Sequence, residues 1–392
     1  MAMDKIRKSQ SSINIRQFSM LIALAVIMVL FQILTGGILL TPQNVTNLIM
    51  QNGYVIILSV GMLLCILSSG SIDLSVGSIV AFIGAIIGEM VVVKGMNVWL
   101  SIIVILIIGV LIGIWQGFWI AYMRIPAFIV TLAGMLTFRG LTLAVLNGMT
   151  LSPFPKEFNF ISSGFLPNIG TGKINITAIL FCIITDLLYI YLAFRKRIKK
   201  TKQGFAVSSM GIFLIQTIAT VVVVSLFFVW LSLYKGIPVL LVIMVVLVIA
   251  YAIFTSNTVP GRYLYAMGGN EKAAILSGID TNKALFLVFI NMSVLSALAG
   301  VVFTSRLQAA TPTAGTNFEM DAIASCFIGG ASATGGVGTI TGAVIGALVM
   351  GVLNNGMSIM GVGSDVTMTI KGLVLLAAVI FDVLSKKRVA AV

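Results

Sequence analysis

The chain has 392 residues, 59% of them hydrophobic and only 9% charged, with 24 Lys and Arg against 11 Asp and Glu. A soluble domain carries about 25% charged residues, so most of this surface faces something other than water. A nucleic-acid partner would need the positive charge gathered on one soluble face, and no segment is long enough to build one. There is no histidine and no cysteine pair at ligand spacing, which argues against a metal or a metal cofactor.

Apolar runs near the roughly 20 residues needed to cross a bilayer recur along the whole chain. Strand alternation is absent. The expected fold is therefore all-α, a polytopic helical membrane protein of about 10–12 spans, with residues 1–392 forming one transmembrane domain. The amino end carries Lys5, Arg7, Lys8 and Arg16 and runs into an apolar stretch, 19–40, too long for a signal-peptide core. It reads as a retained first span. Further spans are expected at 51–69, 78–93, 97–120, 126–147, 175–194, 210–234, 237–256, 284–304, 321–331, 339–356 and 366–384. The 321–331 run is too short to cross as a regular helix and is expected to be broken or re-entrant. Cys65, Cys182 and Cys326 fall inside apolar runs and read as small buried hydrophobes.

With the amino end in the cytosol and every span crossing, seventeen of the 24 basic residues fall on cytosolic pieces and five outside. That is the positive-inside bias, and it places both termini in the cytosol of a cell-membrane protein. The strongest marker is the loop Arg195-Lys196-Arg197-Ile198-Lys199-Lys200-Thr201-Lys202, read as a stop-transfer cluster beside anionic lipid.

Two stretches interrupt apolar runs at membrane depth: Ser68–Gly77 and Gly329–Gly338. Irregular backbone is tolerated there only where protein or a water-filled path surrounds it, and paired interruptions point to a transport route. Candidate path residues are Ser69, Ser71, Asp73 and Ser75 in the first break and Ser332 and Thr334 in the second. Asp73 has two readings, a cap that fixes the helix beginning near Leu74 or a group in the solute path. Glu89, Arg139, Asp186 and Lys371 read as interfacial or structurally paired charges. Glycines at four-residue spacing, such as Gly84 and Gly88, Gly109, Gly113 and Gly117, or Gly338, Gly342 and Gly346, predict close helix packing.

The segment 258–283 holds the longest cytosolic connection after the basic cluster. Asn270 is a good N-cap, Glu271 suits the positive first turn, Ala273, Ala274 and Leu276 propagate a helix, and Gly278 can end it. The expectation is a helix of about two turns with small residues exposed, either seated in a partner's groove or lying at the interface.

The run Gly268-Gly269-Asn270-Glu271-Lys272-Ala273-Ala274-Ile275-Leu276-Ser277-Gly278-Ile279 resembles the coupling-loop signature of permeases from ribose- and xylose-type sugar ABC importers. The likeness continues through Ile72–Gly77, Pro126–Leu132, Ser305–Leu307, Pro312–Gly315, Glu319–Ala324, the 329–338 stretch and Leu353–Met357. The basic loop and the extra apolar runs between 195 and 256 are closer to the xylose type. Ser71 stands where the family usually has a second glycine, and Ala333-Thr334 replaces the usual Leu-Ala.

The resemblance implies a non-catalytic permease subunit importing a monosaccharide, paired with a second permease copy as a homodimer. Its partners would be a cytosolic ABC ATPase and an extracytoplasmic sugar-binding protein. ATPase coupling would fall to Gly269, Asn270, Glu271, Ala273, Ala274, Leu276, Ser277 and Gly278. The chain itself has no Gly-x-x-x-x-Gly-Lys-[Ser/Thr] loop to cradle phosphates. An ion-coupled carrier using Asp73, Glu89 and Arg139 is the competing reading, weakened by isolated acids and the lack of histidine. A membrane-embedded enzyme would need a nucleophile–base or acid cluster, and none is evident.

Overall fold

A computed structural model describes residues 20–390 except 171, 173 and 206, with side chains through residue 380. The basic amino end, Lys173 and the side chains of the carboxyl tail lie outside the described residues. The chain opens with α1 (Met20–Leu34), α2 (Pro42–Ser69) and α3 (Val76–Gly88, prolonged by a wider π turn at Glu89–Val93). Then come α4 (Val98–Ala121), α5 (Ala127–Leu146), the short α6 (Lys156–Ser163), α7 (Ile176–Lys202), α8 (Met210–Ser232) and α9 (Val239–Asn257). The last third holds α10 (Val259–Gly269), α11 (Glu271–Leu276), α12 (Thr281–Leu307), α13 (Phe318–Ile328), α14 (Ile340–Ile359) and α15 (Ser364–Ala390). Among the described residues, nine helices are long and apolar enough to cross a bilayer.

Side-chain caps and glycines set the helix ends. Thr41 Oγ1 accepts from Asn44 N, with Pro42 at the first helical position, to open α2. Gly70, at φ +66°, closes it by donating its N–H to Ile66 O. Asn97, Asn175, Ser209 and Thr339 cap α4, α7, α8 and α14 in the same way.

Several expected boundaries move. The first span's helix stops at Leu34, where a turn replaces the expected continuation to residue 40. The basic run 195–202 is not a loop but the last two turns of α7, where Lys199, Lys200 and Lys202 face the negative end of the helix dipole. Residues 259–269, expected to be loop, form α10. Thr258 caps that helix and Pro260 occupies its first turn. The 321–331 run yields only the 11-residue α13, followed by irregular chain up to Ile340.

The centre of the bundle is α2, whose most apolar 18-residue window is 83% buried. It is walled by α12, α14, α13, α10 and α9. At the other extreme, the corresponding windows of α7 and α8 are 17% and 6% buried. These two helices pack chiefly on each other and leave apolar side chains for lipid. The four-spaced glycines sit where helices touch: Gly109, Gly113 and Gly117 of α4 meet Ala297, Ile290 and Phe286 of α12. All three cysteines are buried and free.

Several polar groups in the core are paired across helices. Asn44, Gln51 and Asn355 form a side-chain hydrogen-bond cluster between α2 and α14. Asp321 of α13, 1% exposed, accepts from Tyr54 of α2 at 3.2 Å and Asn354 of α14 at 3.4 Å. Lys371 of α15 donates to its Oδ2 at 3.1 Å, and the ammonium also lies 2.9 Å from Oδ1, off-axis for a hydrogen bond. One carboxylate thereby ties four helices. Lys371→Met should strand that buried charge and cost roughly 3–5 kcal/mol, read as a lower unfolding temperature of the purified protein. Adding Asp321→Asn should restore much of the loss. An unchanged transition in the single variant would show that the pair holds nothing together.

Candidate functional site

The short helix α11 forms as its residues require. Asn270 is extended and its Oδ1 accepts the Ala273 N–H at 3.1 Å, while Glu271 occupies the first turn. At the other end Gly278 adopts φ +84°, and the Ile279 N–H returns to Ala274 O at 3.1 Å. Of the proposed coupling residues, Gly269, Asn270, Glu271, Ala273, Leu276, Ser277 and Gly278 are exposed. Ala274 is the correction: it is 3% exposed and packs into the body of the helical bundle. The i to i+3 geometry of a two-turn helix cannot present every small residue outward, and Ala274 is the one turned in. Leu276 is 89% exposed and adjoins Ile275, itself 50% exposed, so the two present an apolar edge on α11.

Arg124 ties this helix to the turn between α4 and α5. Its Nη1 lies 2.7 Å from Glu271 Oε1, and its Nη2 donates to Thr281 Oγ1 and Asn282 Oδ1. One guanidinium thus holds both ends of the α11 segment. Arg124 itself takes φ +56°, a conformation uncommon outside glycine. Each partner of the ion pair is 48% exposed, so the contact contributes more to position than to stability. Nothing local in the sequence links Arg124 to a partner 147 residues on.

Beneath α11 the two irregular stretches meet. The Gly336 N–H donates to Leu67 O at 3.0 Å, and Gly70 packs against the backbone of 333–335. Gly268, near the end of α10, lies against both: a Cβ there would stand 1.9 Å from Leu67 O and 2.3 Å from Gly336 N. Beside this junction lies a cavity of about 370 Å³. Ser69, Ser71 and Thr334 line it together with Arg124, Gly269, Asn270 and Glu271. Ser69 and Ser71 share a hydrogen bond, and so do Ser332 and Thr334.

The rest of the candidate path set lies elsewhere. Asp73 is fully buried; its Oδ1 accepts from Ser75 N at 2.8 Å and Ser75 Oγ at 2.6 Å, and Gln116 Nε2 donates to that Oγ at 2.8 Å. This is an Asx-type turn that starts α3, the fold-fixing alternative for Asp73. Ser75 sits at the N-cap position without making the cap bond. Ser332 is buried, and its backbone closes the second break through bonds with Val337 and Gly335. Among the described residues, Asp73, Glu89 and Arg139 make no hydrogen bond or ion pair with one another. Glu89 lies 3.9 Å from Lys94, and Arg139 Nη1 donates to the carbonyls of Pro312 and Ala314. Among the described residues no acidic or cysteine cluster is arranged to hold a metal.

Residues 44–379 match the family described as branched-chain amino acid transport system / permease component. The xylose transport system permease protein XylH of Haemophilus influenzae is 38% identical over 377 residues, covering 96% of this chain and 98% of the relative. XylH of Escherichia coli K12 is 37% identical, with 96% and 94% covered. The ribose import permease protein RbsC of Escherichia coli K12 is 35% identical, with 92% of each covered. No solved structure matches the chain.

The glycine junction makes a sharp contrast testable. Gly268→Ala should force backbones apart and cost about 1–3 kcal/mol, while Gly269→Ala, where a Cβ meets nothing within 4 Å, should leave the thermal transition of the purified protein in place. Equal behaviour of the two variants would contradict the packing described.

Proposed function

The chain belongs to this family of transport-system permease components, and from that premise we propose that it is the permease subunit of an ATP-binding cassette importer for a xylose- or ribose-like monosaccharide. The observation that carries the proposal is identity of 35–38% to xylose and ribose permeases over 92% or more of the chain. The cavity chemistry agrees with it. Hydroxyls at Ser69, Ser71 and Thr334 suit an uncharged polyol, which exchanges its hydrogen bonds with water for others of the same kind.

In this reading both termini and the α11 end of the bundle face the cytosol, as the distribution of basic residues suggests. A cytosolic ATPase docks on α11, an extracytoplasmic binding protein delivers the sugar, and a second copy of the chain completes the route. ATP does work on the permease only through contacts that differ between its two states. Exposed Leu276 and Ile275 offer such a contact. Arg124 passes the displacement of α11 to the α4–α5 turn, and Gly268 passes it to both irregular segments at once. Asp73 sets the start of α3 rather than touching the sugar. An ion-coupled carrier finds no support in the separate placements of Asp73, Glu89 and Arg139.

The test is sugar uptake into proteoliposomes holding the permease, its ATPase and its binding protein. Uptake should require ATP and persist in the presence of an uncoupler. Leu276→Asp should remove a docking anchor, about 2 kcal/mol or roughly thirtyfold in ATPase affinity, while the chain still inserts and folds. Uptake that survives without ATP and collapses with the uncoupler would point to an ion-coupled carrier instead.

A further inference from the structure

On the flank of α10 and α12 lies a groove of about 660 Å³, separate from the cavity beneath α11. Its wall is apolar: Leu64 of α2, Phe254 of α9, Pro260 of α10, and Ala284, Leu287 and Val288 of α12. Polar groups occur in it at two levels. Near one end Tyr251 donates to Asn291, and near the other stand Asp280 and Lys283. From Asp280 to Asn291 along α12 is 11 residues, roughly 16 Å of helix. That is about half of the ~30 Å hydrocarbon thickness, the depth of one leaflet's acyl chains.

The mouth carries two opposite charges on one helical turn. Lys283 is exposed and makes no ion pair among the described residues. Asp280 caps α12 with Oδ1, which accepts the Lys283 N–H at 2.9 Å, while its second oxygen has no hydrogen-bond donor among the described residues. A cation and an anion so placed over an apolar slot complement a zwitterionic headgroup better than a singly anionic one. A quaternary ammonium cannot donate a hydrogen bond to Asp280, whereas a primary ammonium can. We propose that this groove binds one aminophospholipid of the ethanolamine class, its phosphate at Lys283, its ammonium at Asp280 and an acyl chain along Ala284, Leu287 and Phe254. The site adjoins both helices that flank α11, so its occupant would brace the α11 segment from the membrane side.

The full-length protein is reconstituted into vesicles of equal parts phosphatidylethanolamine, phosphatidylcholine and phosphatidylglycerol, extracted in mild detergent and weighed by native mass spectrometry. One retained lipid per chain is expected, phosphatidylethanolamine exceeding the other two by roughly fivefold, the weight of one charged contact at a membrane surface. Asp280→Asn keeps the cap and should erase the preference over phosphatidylcholine. Lys283→Gln should lower retention of all three lipids. Ala284→Trp fills the groove and should abolish retention. Preference for phosphatidylglycerol, retention unaffected by Lys283→Gln and Ala284→Trp, or a chain dimer that Ala284→Trp dissolves would each overturn the proposal.

Discussion

Three stretches of backbone cross at contact distance where Leu67–Gly70, Gly268–Gly269 and Gly335–Gly336 meet, and the useful geometry of this protein hangs on that crossing. No side chain larger than hydrogen fits at Gly268, whose absent Cβ would overlap Leu67 O and Gly336 N. The bond from Gly336 N–H to Leu67 O fixes the two irregular segments to each other. Within a bilayer such segments survive only when their polar backbone is satisfied by protein or water. The junction supplies that protection on one side, and the hydroxyl-lined cavity lies on the other. The helix that presents α11, α10, ends in the same crossing.

Around this crossing the protein divides its labour by burial. α2 and α12 form a packed interior held by small-residue contacts and a few paired polar groups. α7 and α8 stand outside it, apolar toward lipid and strongly basic at the end of α7. Exposed charge in this chain gathers at the end of α7, whereas the buried exceptions, Asp321 with Lys371 and Asp73 with Ser75 and Gln116, hold helices together. At the cavity the charges that do occur, Arg124 and Glu271, are paired with each other beside the hydroxyls of Ser69, Ser71 and Thr334.

Much of the fold was legible in local sequence because the decisive signals are local. Apolar run lengths gave the spans, the Ser/Gly-rich interruptions gave both irregular stretches, and Asn270, Glu271 and Gly278 gave α11 with its ends. What escaped depends on partners far apart in the chain or on which way a residue turns. Arg124 and Glu271 are 147 residues apart, and Asp321 and Lys371 are 50 apart. No spacing rule joins them. Ala274 carries the same small side chain as Ala273, and only the packing of α11 distinguishes the buried one from the exposed one. Of the six path candidates, local sequence offered a second, helix-fixing reading only for Asp73. The structure gathers Ser69, Ser71 and Thr334 at one cavity and uses Asp73, Ser75 and Ser332 to shape the turns around it.

The central claim is that α11 drives the meeting of the two irregular segments. Pulsed electron paramagnetic resonance between spin labels at Ser69 and Thr334, in the permease assembled with its ATPase, measures that meeting directly. All three native cysteines are buried, which favours labelling at the two introduced sites. The account predicts a distance distribution that shifts on ATP binding and returns after hydrolysis. A distribution unchanged by nucleotide, in an assembly that still takes up sugar, would contradict it.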